Sequence, residues 1–289
     1  MKRVVGLIGL VVAAIAGCGR GEAPGGAVSP RLYVLDGGVL ASDPSRYRLT
    51  EAEVQTTPLS IAAYLVVHPQ GVLLWDAGAI ADGERRGLPA GAEHRVTRAD
   101  GQERVVMLAP LLEEQLQATG YGADAVTHLA LSHYHWDHTA DANAFAHATW
   151  LVRPGDRDAM LAEPAPGAAR PATYAALKGS RSVAVTADEH DVFGDGTVVL
   201  KAAPGHTEGH QVLYVKLATT GGVVLSGDLY HYPEERTLNR LPTFEVSEEQ
   251  TAASRRELEG FLQRTGAQLW IQHDLVHHRT LRKAPQAYE

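Results

Sequence analysis

Residues 131–140 read LSHYHWDHTA, which sets three imidazoles and a carboxylate, His133, His135, Asp137 and His138, within six positions. No other stretch narrows the fold as much. The short apolar run Thr127–Leu131 leads straight into it, so a strand ends where the metal-binding side chains begin. Side chains two apart on an extended segment project to one side, so His133 and His135 share a face. Asp137 and His138 follow where the chain must turn. Imidazole nitrogen and carboxylate oxygen are the zinc ligands available when thiolate is absent. A lone histidine more often satisfies a core or a surface than a metal. Four such groups in His-x-His-x-Asp-His order point to a metal site.

The rest of the chain bounds what that metal serves. With 289 residues and 45% hydrophobic content there is material for one good-sized core, and the net charge of −8 argues against a nucleic acid or an anionic membrane held by charge. The first residues, MKRVVGLIGLVVAAIAGCGR, are of another kind. Lys2 and Arg3 form a basic start, and Val4–Gly17 is an apolar run too short for a comfortable membrane span and suited to a secretory signal. It ends at Ile15-Ala16-Gly17-Cys18, and Cys18 is the sole cysteine of the chain. This resembles a bacterial lipobox, with Ile15 where leucine is usual, and implies a lipid on Cys18. The expected division is a signal peptide at 1–17, the lipidated cysteine and a flexible tether at 18–30, and a catalytic domain at 31–289. Gly19 after the cysteine points to an outer-membrane lipoprotein facing the periplasm in a Gram-negative cell, and otherwise to anchoring at the cell surface. The membrane is then a partner through the lipid alone. Once the leader is removed no cysteine remains for disulfides, so the domain relies on its core and its metals.

Periodicity predicts strands at Ala62–Val67 and Val72–Trp75 around a tight turn, then at Thr127–Leu131, Trp150–Val152, Thr197–Ala202, Gln211–Leu217, Gly222–Leu225 and Gln268–Ile271. Helices are expected over 109–118 and from the capping sequence Ser247-Glu-Glu-Gln250 to about Arg264, the latter burying Leu258, Phe261 and Leu262. Residues 79–105, polar and with five arginines, and the Pro-, Ala- and Gly-rich 161–182 read as long loops.

Further segments carry a family resemblance. Leu74-Trp-Asp76, the 131–138 cluster, Pro204-Gly-His-Thr-Glu-Gly-His210, Leu225-Ser-Gly-Asp228 and Gln272-His273-Asp274 resemble, in order, the motifs of the metallo-β-lactamase superfamily. The likeness covers about residues 31–280. It implies an α/β (α+β) fold, the four-layer αββα sandwich, with two zinc ions, or other divalent metals, at one edge of the sheets. Carried over, one metal takes His133, His135 and His206, the other takes Asp137, His138 and His273, and Asp228 bridges them. Asp76 and His210 support the ligands. His128, His147, His190, His277 and His278 are expected to be structural or surface groups.

Within the superfamily the chain is most similar to the N-acyl homoserine lactonases, which implies opening of a lactone ring by hydroxide held at the metals, with Asp137 passing a proton to the leaving oxygen. One branch of that group places a tyrosine three residues after the bridging aspartate. Here His231 stands there, between Tyr230 and Tyr232, and any of the three could polarise the carbonyl or protonate the alkoxide. The implied partner is a small-molecule lactone, with oligomeric state open, a dimer included. An acyl tail would need an apolar wall, with Leu88, Val96, Met107, Leu161, Tyr174, Leu177, Leu238, Leu241 and Phe244 as candidates, and catalytic efficiency would then climb with acyl length. The alternatives are a phosphotriester or aryl ester hydrolase, a β-lactamase (disfavoured by Asp228), and, from another class, a non-catalytic metal-binding lipoprotein.

Overall fold

The computed structural model describes residues 1–2 and 29–289. Cys18, the leader and all but the end of the tether lie outside the described residues. Among those described, no helix is long and apolar enough to cross a membrane.

Two sheets form the body. The first holds β1 (Arg31–Leu40), β2 (Leu59–His68), β3 (Gly71–Trp75), β4 (Glu93–Thr97), β5 (Glu103–Met107), β6 (His128–Ala130), β7 (Thr149–Val152) and β8 (Ser182–Ala184) in the order β4-β5-β1-β2-β3-β6-β7-β8. The last strand, β14 (Ala287–Tyr288), also pairs with β1, through Leu32 and Tyr33. The second sheet holds β9 (Glu189–Asp191), β10 (Val198–Ala202), β11 (Gln211–Leu217), β12 (Gly221–Leu225) and β13 (Gln268–Trp270), in the order β13-β12-β11-β10-β9. The helices are α1 (Asp82–Arg85), α2 (Leu112–Ala118), α3 (Pro154–Leu161), α4 (Pro233–Thr237), α5 (Glu248–Thr265) and α6 (Leu275–Thr280).

Strand β2 is buried at every position and β3 at all but Gly71. A sheet covered on both faces reads as a continuous apolar run for this reason. One face packs Leu74, Leu129 and Trp150 against Leu112 and Leu116 of α2 and Met160 of α3. The opposite face packs Trp75, Tyr64 and Leu151 against Leu213, Val223 and Trp270 of the second sheet. That sheet in turn covers Leu258 and Leu262 of α5 with Val212 and Val224. The layers therefore run helix, sheet, sheet, helix, the αββα arrangement. Helix α5 begins as its sequence predicts, with Ser247 Oγ accepting from the Gln250 N–H at 3.3 Å, and ends at Gly266 with φ 67°, where a left-handed residue costs least. Phe261 only half-buries and stacks edge-on against Tyr214 at 5.1 Å.

Two differences from the sequence reading matter. Strand β1 was not expected, because Asp36-Gly37-Gly38 interrupts its apolar run; the structure absorbs that interruption as a bulge between Asp36 and Gly38. Gly38 sits at φ +106°, and a Cβ there would lie 2.3 Å from the Met107 carbonyl oxygen, so no other residue fits. Residues 79–105 are also not a structureless loop. They contain α1 and β4, and β4 pairs with β5 in a hairpin in which only Val96 and Val106 are buried. The face those valines share also carries His94 and Arg104, so apolar residues do not alternate cleanly along either strand and the period cannot be read from sequence.

Candidate metal centre

Five strands deliver the ligand-bearing segments to one edge. Strands β3 and β6 run parallel, as do β12 and β13, so their C-terminal ends meet there, as in other open α/β sheets. Asp76 leaves β3, the 131–138 segment leaves β6, Asp228 follows β12 and His273 follows β13, while His206 lies between β10 and β11.

The Asp228 carboxylate occupies the centre. Its Oδ2 lies 3.5 Å from His133 Nε2 and 3.2 Å from His206 Nε2. Its Oδ1 lies 3.0 Å from His138 Nε2 and 2.9 Å from His273 Nε2. His135 Nδ1 stands 3.0 Å from His206 Nε2, and Asp137 approaches His273 Nε2 to 3.9 Å and His138 Nε2 to 4.0 Å. The donor atoms thus gather as His133, His135, His206 and Asp228, and as Asp137, His138 and His273, each set within 4.8 Å. His133 Nε2, His138 Nε2 and Asp228 Oδ1 are buried without a hydrogen-bond partner. Buried polar atoms seldom stay unpaired, and these three point into one space. The residues present fit a pair of metal ions.

Electrostatics agree. Burial and the neighbouring imidazoles hold His133 and His135 well below the free histidine value, so both offer lone pairs. Burial raises the Asp228 carboxyl, but His138, His273 and His133 outweigh it and keep it well below the usual carboxylate range. Burial opposes charge on His138 as well, yet Asp228 and Asp76 lift it well above the free value. In the metal-free protein His138 carries a proton that a metal must displace, so binding tightens as pH rises.

Outer partners aim the ligands. Asp76, wholly buried, accepts from Ser132 N–H at 2.6 Å, pairs with His138 Nδ1 at 2.9 Å and accepts from Gln272 Nε2 at 2.7 Å. It does so at φ +59°, a strained setting for a residue with a side chain. His210 donates Nδ1–H to the Ala203 carbonyl at 2.9 Å and accepts the Asp228 N–H at 2.9 Å. Burial holds it neutral, at about 3; with both nitrogens engaged it orients Asp228. Gly227 makes this approach possible, since a Cβ there would fall 2.7 Å from His210 Nε2. Other partners were missed in the sequence. Glu245 meets His206 Nδ1 at 2.8 Å, the Ser60 carbonyl accepts from His273 Nδ1 at 2.7 Å, and Glu235 accepts from the His231 and Tyr232 N–H groups at 2.6 and 2.9 Å. Glu245 and Ser60 come from segments distant in sequence, so no spacing marks them; Glu235 is local, at N3 of α4 three residues after Tyr232, where capping spacing could have pointed to it.

Of the three side chains after Asp228, His231 enters the cavity, with Nε2 3.1 Å from Asp228 Oδ2 and its ring stacked 5.4 Å from His273. The tyrosines do not. Tyr230 bonds Glu259 at 3.1 Å under the Arg255 guanidinium, and Tyr232 donates to the Thr57 carbonyl. Both are buried, Tyr232 packing behind the cavity residue Tyr47 at 5.0 Å, and neither lines the cavity, which corrects their candidacy as substrate contacts.

The cavity over the ligands is bounded by Leu40, Tyr47, Leu59, Trp136 and Phe244, and also by Arg46, Arg98 and Arg104. Of the residues expected to form an apolar tail wall, only Phe244 reaches it. Leu88, Met107, Leu161 and Leu238 face solvent, while Val96, Tyr174 and Leu177 are consumed by the core; Leu241 does not line it either.

The sequence profile of the metallo-beta-lactamase superfamily matches residues 56–265. The chain belongs to that superfamily. It is 27% identical over 269 residues to the N-acyl homoserine lactonase AttM of Rhizobium johnstonii, covering 89% of this chain and 98% of that one. Among solved structures it resembles AiiA of B. thuringiensis with N-decanoyl-L-homoserine bound, at TM-score 0.71 and 22% identity, covering 90% of this chain and 99% of that one. It also resembles AidC, a dizinc quorum-quenching lactonase, at TM-score 0.63 and 19% identity, covering 90% and 93%.

Proposed function

We propose that this chain is a dinuclear zinc hydrolase that opens the lactone ring of N-acyl homoserine lactones. The observation that carries the reading is Asp228, whose two oxygens face two separate ligand sets. The naming of its curated relatives as N-acyl homoserine lactonases supports the substrate. His133, His135 and His206 would hold one metal, Asp137, His138 and His273 the other, with Asp228 shared.

Bound zinc supplies a Lewis acid for the ring carbonyl and lowers the pKa of water at the site. Asp137, buried but for its cavity face, takes the proton of the attacking water and passes it to the ring oxygen as the acyl carbon–oxygen bond breaks. Water's oxygen ends on the acyl carbon and its proton on the freed alcohol. His231 holds Asp228 from the cavity side and is itself held by Glu235, 3.3 Å from its Nδ1. Leu59, Trp136 and Phe244 keep bulk water from the ring, which strengthens every charge interaction there.

The test is an assay of the zinc-loaded protein on acyl homoserine lactones, γ-lactones, a phosphotriester and a cephalosporin. Ring-opened acyl homoserine is the expected product, distinct in mass from the homoserine lactone that an amidase would leave. Turnover of the phosphotriester with no lactone opened would leave a dinuclear hydrolase of another substrate.

The address of the enzyme rests on the N-terminal sequence. We infer export, acylation at Cys18 and anchoring that faces the periplasm or the cell exterior. Cys18→Ala is expected to move the protein from the membrane fraction to an unprocessed or soluble form; unchanged fractionation would count against lipidation.

A further inference from the structure

Three arginines share the cavity wall with the metal ligands. Arg46 comes from the 3-10 turn Pro44–Tyr47, and Arg98 and Arg104 from the hairpin β4–β5 and its connection. They are held in place. Arg46 lies 4.6 Å over the Phe244 ring. The Ala99 and Asp100 N–H groups bond the carbonyls of Ala169 and Gly167 at 3.0 and 3.1 Å, and the neighbouring Ala168 carbonyl accepts from Trp136 of the ligand segment. The hairpin is thereby tied to the metal centre through backbone.

Their charges are largely unspent. Arg98 pairs with Asp100. Arg104 donates only to the Glu103 carbonyl at 3.3 Å and Gln102 Oε1 at 3.0 Å. Among the described residues, neither Arg46 nor Arg104 has a carboxylate within ion-pairing reach. Like charges gathered in a partly desolvated place are costly, and burial, then Arg46 and Arg98, draw the Arg104 guanidinium below its ordinary range, against a pull from Asp137. Two guanidinium groups without carboxylate partners on one cavity wall suit an anion, and a methyl-ended acyl tail leaves them unanswered.

We propose that Arg46 and Arg104, flanked by Arg98, form an anion-binding subsite, so that the substrates of this enzyme are lactones bearing a carboxylate on the arm away from the ring. The inference rests on the lactonase reading and narrows it. Guanidinium forks recognise carboxylate by charge-assisted, often bidentate hydrogen bonds.

The experiment compares N-octanoyl- and N-suberoyl-homoserine lactone, equal in chain length and differing in a terminal carboxylate. The suberoyl compound is expected to lead in kcat/KM by about tenfold or more, mainly through KM, the scale of one hydrogen bond to a charged group. That lead should shrink as salt is raised. Arg104→Gln with Arg46→Gln should bring the ratio to near one, and Arg104→Lys should keep part of it, which a merely structural role would not do. Calorimetry of zinc-loaded protein with the two ring-opened products reads the subsite without turnover. If octanoyl lactone is opened as well as suberoyl, the anion subsite is wrong and the lactonase reading stands. If neither lactone is opened but the suberoyl product binds tighter, and the double variant abolishes that, the subsite stands and the lactonase reading falls. Neither turnover nor differential binding overturns both.

Discussion

The floor and the wall of one cavity are built on different physics. The floor is a set of strand ends buried between two sheets, where three of the imidazole ligands are fixed by partners that are themselves buried: Asp76 behind His138, Glu245 behind His206, the Ser60 carbonyl behind His273. The wall is a half-exposed hairpin and a short turn, in which Arg104 leans on its own neighbours and Arg46 on an aromatic face. Rigid, dry surroundings preorganise charge for the chemical step. Wetter, looser surroundings suit discrimination, where only a difference between substrates has to be read.

The comparison breaks most visibly at Asp228. Removing the one carboxylate that faces both ligand sets should lower zinc from two ions per chain to one or fewer, and turnover by well over 100-fold, beyond the roughly 10–100-fold that outer-shell changes cost. Elemental analysis of zinc-supplied Asp228→Ala decides it, with circular dichroism to confirm the fold. Two retained ions and near-normal rate would show that the floor does not depend on a shared carboxylate.

Asp137→Asn should act next, on kcat. Loss of a positioned acid–base group costs at least about 100-fold. Zinc at His133, His135 and His206 should persist, and the preference between octanoyl and suberoyl lactone should survive in whatever turnover remains. Near-normal rate in the metal-replete variant would refute the proton-transfer role. Exchange of Arg104, by contrast, should act about tenfold and through KM, the smaller effect the wall allows.

The same contrast governs what could be read from sequence. His133, His135, Asp137 and His138 were legible because their ligating groups lie in one uninterrupted segment after an apolar strand. His206, Asp228 and His273 were legible through family likeness and came together as it implied. Glu245, Glu235 and the arginines were not legible as a set. Glu245 and the arginines arise from segments placed by contacts far away in sequence, Glu235 was marked only by capping spacing after Tyr232, and the inner face of β4–β5 mixes Val96 and Val106 with His94 and Arg104, so it carries no clear apolar period to announce a strand. Tyr230 and Tyr232 misled for a local reason: the chain turns after Asp228, and that turn sends His231 inward and both tyrosines to the scaffold.

A seam joins floor to wall, and it gives the smallest effect. Asp141 donates its N–H to the Ala77 carbonyl beside Asp76 and accepts the Asp82 N–H at 2.9 Å, where the chain sets off through α1 towards the hairpin. Burial, then the Asp82 charge, push its carboxyl up to about 7, against the pull of the Asp82 N–H. An unfolded aspartate titrates near 3.9. Between those values the folded protein holds a proton that the unfolded chain has released, so this group makes stability fall as pH rises from about 4 to 7, with a constant cost above. Asn keeps the shape and the acceptor without the charge. Asp141→Asn should therefore match the parent near pH 4 and exceed it at pH 8 by on the order of 2 kcal/mol, partial solvent access being allowed for. Urea unfolding at the two pH values measures it, and equal differences at both would refute the assignment. If floor and wall are as separate as their construction suggests, the same variant should leave zinc content and the octanoyl-to-suberoyl ratio where they were; a shift in that ratio would mean that the seam transmits and that the wall is set from below.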